Sequence, residues 1–349
     1  MKKSLIALAV LAASGAAMAQ SSVTIFGIVD VGVGHVSATN SVSGVTQSGN
    51  SSSRLGFRGV EDLGGGLKAG FWLEGAISPD TGTGAGGSVS GADANSFKFA
   101  RRSTISLAGG FGEVRLGREL AIGYDKPSSY DPFGQVGFAS LQNFSVVRVS
   151  NGVSYRTPAN LGGFWVAGHY GFGEQTSSSS DGRYLALAGG YDNGPLSITV
   201  AGDQLKEGGV INGYGGAAVV DNLKSFSAAA SYDLGIVKPA VIYRTERGGT
   251  VVDAKTDSLM LALTAPLGSG RLIGYYARYD NKRNSNDSNA LAVGYVYDLS
   301  KRTAVYGTYA HLNNKNNSTR GLPAGGLSAV TVGAGENVDG YQVGIRHAF

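Results

Sequence analysis

From about residue 22 to Phe349 the chain alternates apolar and polar positions with a period of two, in short stretches separated by turn residues. Leu55 and Phe57 oppose Arg54 and Arg58, while Ala69, Phe71 and Leu73 oppose Lys68, Gly70 and Glu74. Val114 and Leu116 oppose Glu113, Arg115 and Glu119. At the end of the chain Tyr341, Val343, Ile345 and Phe349 share one face and Gln342, Gly344 and Arg346 the other. Sixteen strands are predicted, near 22–35, 52–62, 67–78, 96–108, 113–119, 150–157, 164–173, 183–192, 195–205, 223–233, 236–246, 257–266, 270–280, 289–298, 302–312 and 339–349.

The connections alternate in kind. Leu63 to Gly66, Gly109 to Gly112, Asn193-Gly194, the bend at Gly235, Gly268-Ser269 and Leu299 to Lys301 read as tight turns. Long polar connections at 36–51, 79–95, 120–149, 174–182, 206–222, 247–256, 281–288 and 313–338 lie between them. An even strand count with loop lengths sorted to two ends describes an all-β, antiparallel transmembrane barrel with short periplasmic turns and long external loops. A soluble sandwich has no reason for that sorting. Lipid then covers the apolar face, since a strand of ~9–11 residues crosses a bilayer. Arg or Lys on that face costs ~2–4 kcal/mol at mid-bilayer, so the charged face must line a watery lumen.

Lys2 and Lys3, the apolar run from Leu5 to Ala13 and Ala17-Met18-Ala19 form a secretory signal peptide over 1–19, leaving 20–349 as a single domain. Without Lys2 and Lys3 the 29 basic residues become 27 against 25 acidic ones, which gives no reason to expect nucleic-acid binding. There is no cysteine, hence no disulfide framework. The four histidines (35, 169, 311 and 347) are scattered, so no metal site is expected. Glycine is abundant, 56 against 8 proline, and sits between β-formers as in Phe26-Gly27-Ile28, where a curving wall needs it.

Chemistry-bearing motifs are missing. Gly-x-Gly repeats never open a helix after a strand, and no G-x-S-x-G elbow or partner histidine accompanies the serines. Neither a cofactor nor an enzyme activity is expected. Tyrosines near strand ends (275, 276, 279, 295, 297, 306, 309 and 341) suggest an interfacial girdle. The small residues of 183–192, 223–233 and 257–266 suggest subunit contacts.

The remaining constellation is basic: Arg54, Lys68, Arg101, Arg102, Arg115, Arg148 and Arg156, all in the first half. The longest inner connection, 120–149, carries Asp125 and Asp131. Arginines on adjacent walls, faced by an acid-bearing loop, set a transverse field across a narrow lumen. Unit charges ~5 Å apart at an effective dielectric of ~20–80 interact by ~1–3 kcal/mol, enough to bias an ion without trapping it.

Several long motifs resemble the general porins of betaproteobacteria: Gln20 to Asp30, Ser53 to Gly75, Arg101 to Leu107, Phe111 to Arg118 and Val343 to Phe349. The resemblance spans the mature chain. It implies a homotrimer in outer-membrane lipid and lipopolysaccharide, passive diffusion of small hydrophilic solutes and inorganic anions with anion preference, and a third loop, 120–149, folded inward as an eyelet. It further implies that Phe349 belongs to the assembly signal, that Arg54, Arg101 and Arg148 line the constriction, and that Glu74 and Asp131 oppose them. Alternation counted back from Ile105 and Leu107 instead points Arg102 inward; a bulge near Ser103 would reconcile the two. The alternative is a substrate-specific channel for a sugar or anion with a saturable site, for which Tyr124, Tyr130, Phe133, Phe138 and Phe144 offer the only aromatic slide.

Overall fold

A computed structural model describes residues 22–85, 96–140, 144–174, 176, 181–206, 209–211, 218–220, 222–249 and 254–349; the signal-peptide expectation lies outside them. The wall begins with β1 (Ser22–Ser37), β2 in two collinear stretches (Ser41–Gln47 and Arg54–Gly64), β3 (Leu67–Ser78), β4 (Arg102–Gly109) and β5 (Gly112–Leu120). It continues through β6 (Arg148–Arg156), β7 (Phe164–Gly171), β8 (Tyr184–Asn193), β9 (Leu196–Leu205), β10 (Leu223–Tyr232) and β11 (Lys238–Gly248). The circuit ends with β12 (Ala254–Leu267), β13 (Gly270–Asn281), β14 (Ser288–Asp298), β15 (Thr303–Asn314) and β16 (Val338–Ala348).

Each strand pairs antiparallel with its neighbours, and β1 closes the ring on β16 from Ile28↔Ala348 to Ser37↔Asp339. Closure leaves no sheet edge facing lipid, which is the condition for β-structure to cross a bilayer. Phe349 completes the seam. It exchanges both backbone hydrogen bonds with Gly27, and its ring lies where a Cβ on residue 27 would stand.

Alternation holds with the sense expected of a membrane barrel. In β12 Leu259, Leu261 and Leu263 are exposed on the outside while Ser258, Met260 and Ala262 are buried within. The tyrosines divide: Tyr276, Tyr297, Tyr309 and Tyr341 face outward, but Tyr275, Tyr279 and Tyr306 are buried inside. Only part of the expected girdle is therefore a girdle.

Two expectations about connections change. The first, 36–51, is not a long loop, because Ser41–Gln47 pairs back on β1 and leaves 38–40 as the turn. Residues 48–53 then interrupt β2, held by the Asp30 carboxylate, which accepts the backbone N–H groups of Gly49, Asn50 and Ser51. The fourth strand starts at Arg102 and not near 96.

The 120–149 connection lies inside the barrel. It opens with a short helix, α1 (Ile122–Ser128). It then crosses the inner wall of the later strands. The Tyr130 hydroxyl meets Ser197 Oγ at 2.7 Å and Thr199 Oγ1 at 2.8 Å on β9. Tyr275 of β13 donates to the Ala139 carbonyl at 2.7 Å, and Phe133 packs edge-on against the Tyr275 ring. Phe138, fully buried, reaches the glycines at 34 on β1 and 340 on β16, where an added Cβ would stand 2.9 and 3.2 Å from its ring. On the return arm Ser145 donates its N–H and hydroxyl to Glu246 of β11, at 3.1 and 2.6 Å.

The small residues expected at subunit contacts are the seat of this loop. Ala186, Ser227, Ala229 and Ala262 point inward and are buried, and their small size makes room for the chain that covers them.

Candidate functional site

With the loop laid on β8 to β16, the lumen narrows against the opposite wall. A cavity of about 300 Å³ there is lined by Arg54 of β2, Trp72 and Glu74 of β3, Arg101, Arg102 of β4, Arg115, Glu119 and Leu120 of β5, Asp125 of α1, and Arg148 and Arg156 of β6. Inward alternation on adjacent strands brings most of these side chains to one height.

Glu74 is the hub of one half. Its Oε1 accepts Arg101 Nε at 2.6 Å and lies 3.5 Å from Arg54 Nη1, and its Oε2 accepts Trp72 Nε1 at 3.0 Å. Glu119 is the hub of the other half. It lies 3.0 Å from Arg115 Nη1 and 3.8 Å from Arg156 Nη2, and it also accepts the Ser154 hydroxyl. Asp125 reaches from the loop to Arg156 at 2.9 Å. Arg102 and Arg148 are different: among the described residues neither has a carboxylate within ion-pair distance. Arg102 lies over the Trp72 ring, 4.6 Å from its centre, and Arg148 donates Nε to the Arg101 carbonyl at 3.0 Å. Six guanidinium groups and three carboxylates line the cavity, and Glu113 beside it pairs with Arg115 at 2.7 Å, which leaves a local excess of two positive charges.

Most expected residues converge here: Arg54, Arg101, Arg102, Arg148, Glu74 and Asp125. The choice between Arg101 and Arg102 disappears, because both enter the cavity. No bulge near Ser103 is needed, since β3 and β4 pair without a break from Lys68↔Ala108 to Glu74↔Arg102. Arg101 precedes the strand and is free of its alternation.

Asp131 is placed otherwise. Its carboxylate is buried within the loop and accepts the Phe133 and Gln135 N–H groups at 2.9 and 3.0 Å and Gln135 Nε2 at 2.7 Å. Burial pushes this carboxyl up to about 6. It shapes the turn and does not line the cavity. The aromatic slide is displaced as well. Tyr130, Phe133, Phe138 and Phe144 are buried as anchors of the loop, and Tyr124 packs on Phe144. The aromatic that lines this cavity is Trp72, which was not among the expected residues although it shares the polar face of β3 with Glu74. Phe349 stays half-exposed at the seam, on the rim of the short turns.

The chain matches the model of the Gram-negative porin family over residues 5–317. It belongs to that family. It is 47% identical, over an alignment 372 positions long, to outer membrane porin protein 32 of Delftia acidovorans, with 100% of each chain covered. Identity to the major outer membrane protein P.IB of Neisseria gonorrhoeae is 29%, over 87% of this chain and 92% of that one. Among solved structures, an anion-selective porin from Comamonas acidovorans superposes with a TM-score of 0.83 at 43% identity, covering 94% of this chain and 100% of that one. A trimer form of OmpT from Vibrio cholerae, at 17% identity and a TM-score of 0.68 over 94% and 99% of the two chains, shares the fold. The protein is thus a porin of the Gram-negative outer membrane, and its lumen is the transport path.

Proposed function

We propose that this porin passes small hydrophilic solutes by passive diffusion and prefers anions, with residues 120–149 as the eyelet and with no chemistry of its own. The observation that carries the reading is the pair Arg102 and Arg148, for which no carboxylate among the described residues lies within ion-pair distance. Fixed charge of one sign in a narrow aqueous passage raises the local concentration of the opposite ion. The description of the Comamonas relative as anion-selective supports the same sign. Three copies associate through the first and last strands, where Val33, Val343 and Ile345 present a continuous exposed apolar face on paired strands. Lipid and lipopolysaccharide cover the rest of the outer wall.

The test is the reversal potential of the protein in a planar bilayer under a KCl gradient. The unaltered channel should favour chloride, and Arg102→Ala/Arg148→Ala should lose most of that preference. Cation preference in the unaltered channel, or an unchanged potential in the double variant, rejects the assignment.

A further inference from the structure

A second cavity adjoins the constriction and differs from it in chemistry. It measures about 290 Å³ and lies on the side of the long connections, between residues 135–140 of the inward loop, the interruption of β2 and the last connection, 313–338. Arg101 lines both cavities. Among the described residues it is the one charged side chain in the lining of the second, and its Nε is already given to Glu74 at 2.6 Å. The Asp80 carboxylate stands beside Gly326 of that lining, where a Cβ would lie 3.1 Å from Asp80 Oδ2. Fixed charge therefore gives an anion little advantage here, in contrast to the constriction.

The lining offers hydroxyl chemistry instead. Ser48 Oγ accepts the Ser53 N–H at 2.9 Å and keeps its own hydroxyl hydrogen to give. Among the described residues the hydroxyls of Ser52 and Ser140 have no hydrogen-bond partner. Gln135 gives Nε2 to Asp131 at 2.7 Å, which leaves Oε1 to accept. Ile77, Val136 and Pro323 add apolar surface. A solute that donates and accepts at several points and also carries C–H faces matches this mixture. An inorganic anion, which only accepts, does not.

The backbone is adapted to the same space. Ser48 on the wall and Gln135 on the loop both line it, with φ of 58° and 59°, a left-handed region that side chains other than glycine rarely adopt. Such conformations persist only where the surroundings hold them, and they gather at ligand sites. Asp30 holds 49–51 out of the β2 ladder, so one wall of the cavity is turn backbone and serine in place of strand.

We propose that this cavity is a station for a neutral, polyhydroxylated solute the size of one sugar ring, held by Ser48, Ser52, Ser140 and Gln135 with its C–H face on Ile77 and Pro323. The volume equals that of about ten waters at ~30 Å³ each, enough for a single ring. No aromatic side chain among the described residues lines it, so the hold is weak, as passage demands. The proposal deepens the reading of the lumen as a path for small hydrophilic solutes and does not rest on the ion preference.

Chloride conductance of the full chain in planar bilayers, measured as D-glucose is added, tests it. In the unaltered channel the conductance should fall along a saturating curve with its midpoint in the millimolar range, whereas bulk viscosity alone lowers it without saturation. Ser52→Ala/Ser140→Ala should raise the midpoint concentration about ten-fold through two lost hydrogen bonds. Ala76→Leu, which fills the cavity, should abolish the saturating part. Dioxane, a ring with oxygens and no hydroxyl, should give the viscous decline alone. A non-saturating decline with glucose in the unaltered channel overturns the site. One midpoint shared by the unaltered channel and both variants overturns its location, and a dioxane curve that matches the glucose curve overturns the ligand class. Both variants leave every lumenal charge in place, so both should keep the unaltered reversal potential, which confirms their fold and separates failure here from failure of the ion-preference reading.

Discussion

Arg101 and Glu74 grip each other twice: the Arg101 side chain donates Nε to Glu74 Oε1 at 2.6 Å, and its backbone N–H donates to the Glu74 carbonyl at 3.0 Å. The backbone bond falls on Glu74, already the ladder partner of Arg102, so Arg101 sits outside the regular register of β3 and β4. The side-chain bond then turns into the lumen a residue that alternation alone would send outward. Glu74 also holds Arg54, so one carboxylate masks two of the six guanidinium groups at the constriction.

Glu74→Gln should therefore strengthen anion preference. Removing one negative charge ~4 Å from a passing ion changes its energy by ~1–4 kcal/mol at an effective dielectric of ~80–20. The chloride-to-potassium permeability ratio should rise at least several-fold, read from the reversal potential. A fall in that ratio would show that Glu74 is needed to aim Arg54 and Arg101 into the path.

Ionic strength should act on the same quantity. The Debye length is ~30 Å at 0.01 M salt and ~3 Å at 1 M, so the fixed charges reach across the lumen in dilute salt and only to contact in concentrated salt. Anion preference should be strong at the low end and close to absent at the high end. A preference independent of salt would point to a discrete binding site in place of a field.

The return arm of the loop offers a stability test. Arg244 is almost fully buried and bonds Glu246, while Glu246 holds Ser145. Glu246→Ala leaves a buried guanidinium unpaired, a change that costs ~3–5 kcal/mol. The variant should melt earlier, and its single-channel conductance should rise as the arm lifts. Arg244→Met/Glu246→Leu, which removes both charges, should recover much of the melting temperature but not the narrow conductance.

Asp131 gives a pH signature. Its folded carboxyl, raised to about 6 from an ordinary 3.8, holds its proton more tightly in the docked loop than in a released one. The docked loop therefore gains stability from this group that is complete below about 4 and lost as pH rises through about 6, a total on the order of 3 kcal/mol. The protection factors of amides in residues 129–140, exchange corrected for its intrinsic base-catalysed rate, should rise on acidification from pH 7 to pH 5. Asp131→Asn should remove the pH dependence in that window; an unchanged dependence would assign it elsewhere.

Strand number, alternation and the arginine wall were legible because each rests on local spacing: a period of two fixes the face, and lipid demands that one face be apolar. Arg54, Arg102, Arg115 and Glu119 follow from that counting. Arg101 was legible only through the resemblance, since it lies outside the strand whose alternation would place it. Asp131 misled because an acid in an inward loop has two uses. It can face water or satisfy the loop's own N–H groups, and only the path of the loop decides. That path depends on contacts such as Phe138 with Gly34 and Ser145 with Glu246, between residues about a hundred positions apart, and no short-range pattern records them. The inward alanines and serines that seat the loop likewise read as blandness until the covering chain is in place.

Because the loop rests on β8 to β16 while the guanidinium groups project from the other half of the circumference, the loop's anchors and the wall's charges are largely different residues, with Asp125, which the loop brings to Arg156, belonging to both sets. Trimming Phe138 or the Ser145 anchor should dilate the aperture while the wall arginines stay in place, and a same-size exchange such as Glu74→Gln should recharge it without dilation. Evolution or an engineer can thus tune what the channel admits by size and by sign through largely separate positions.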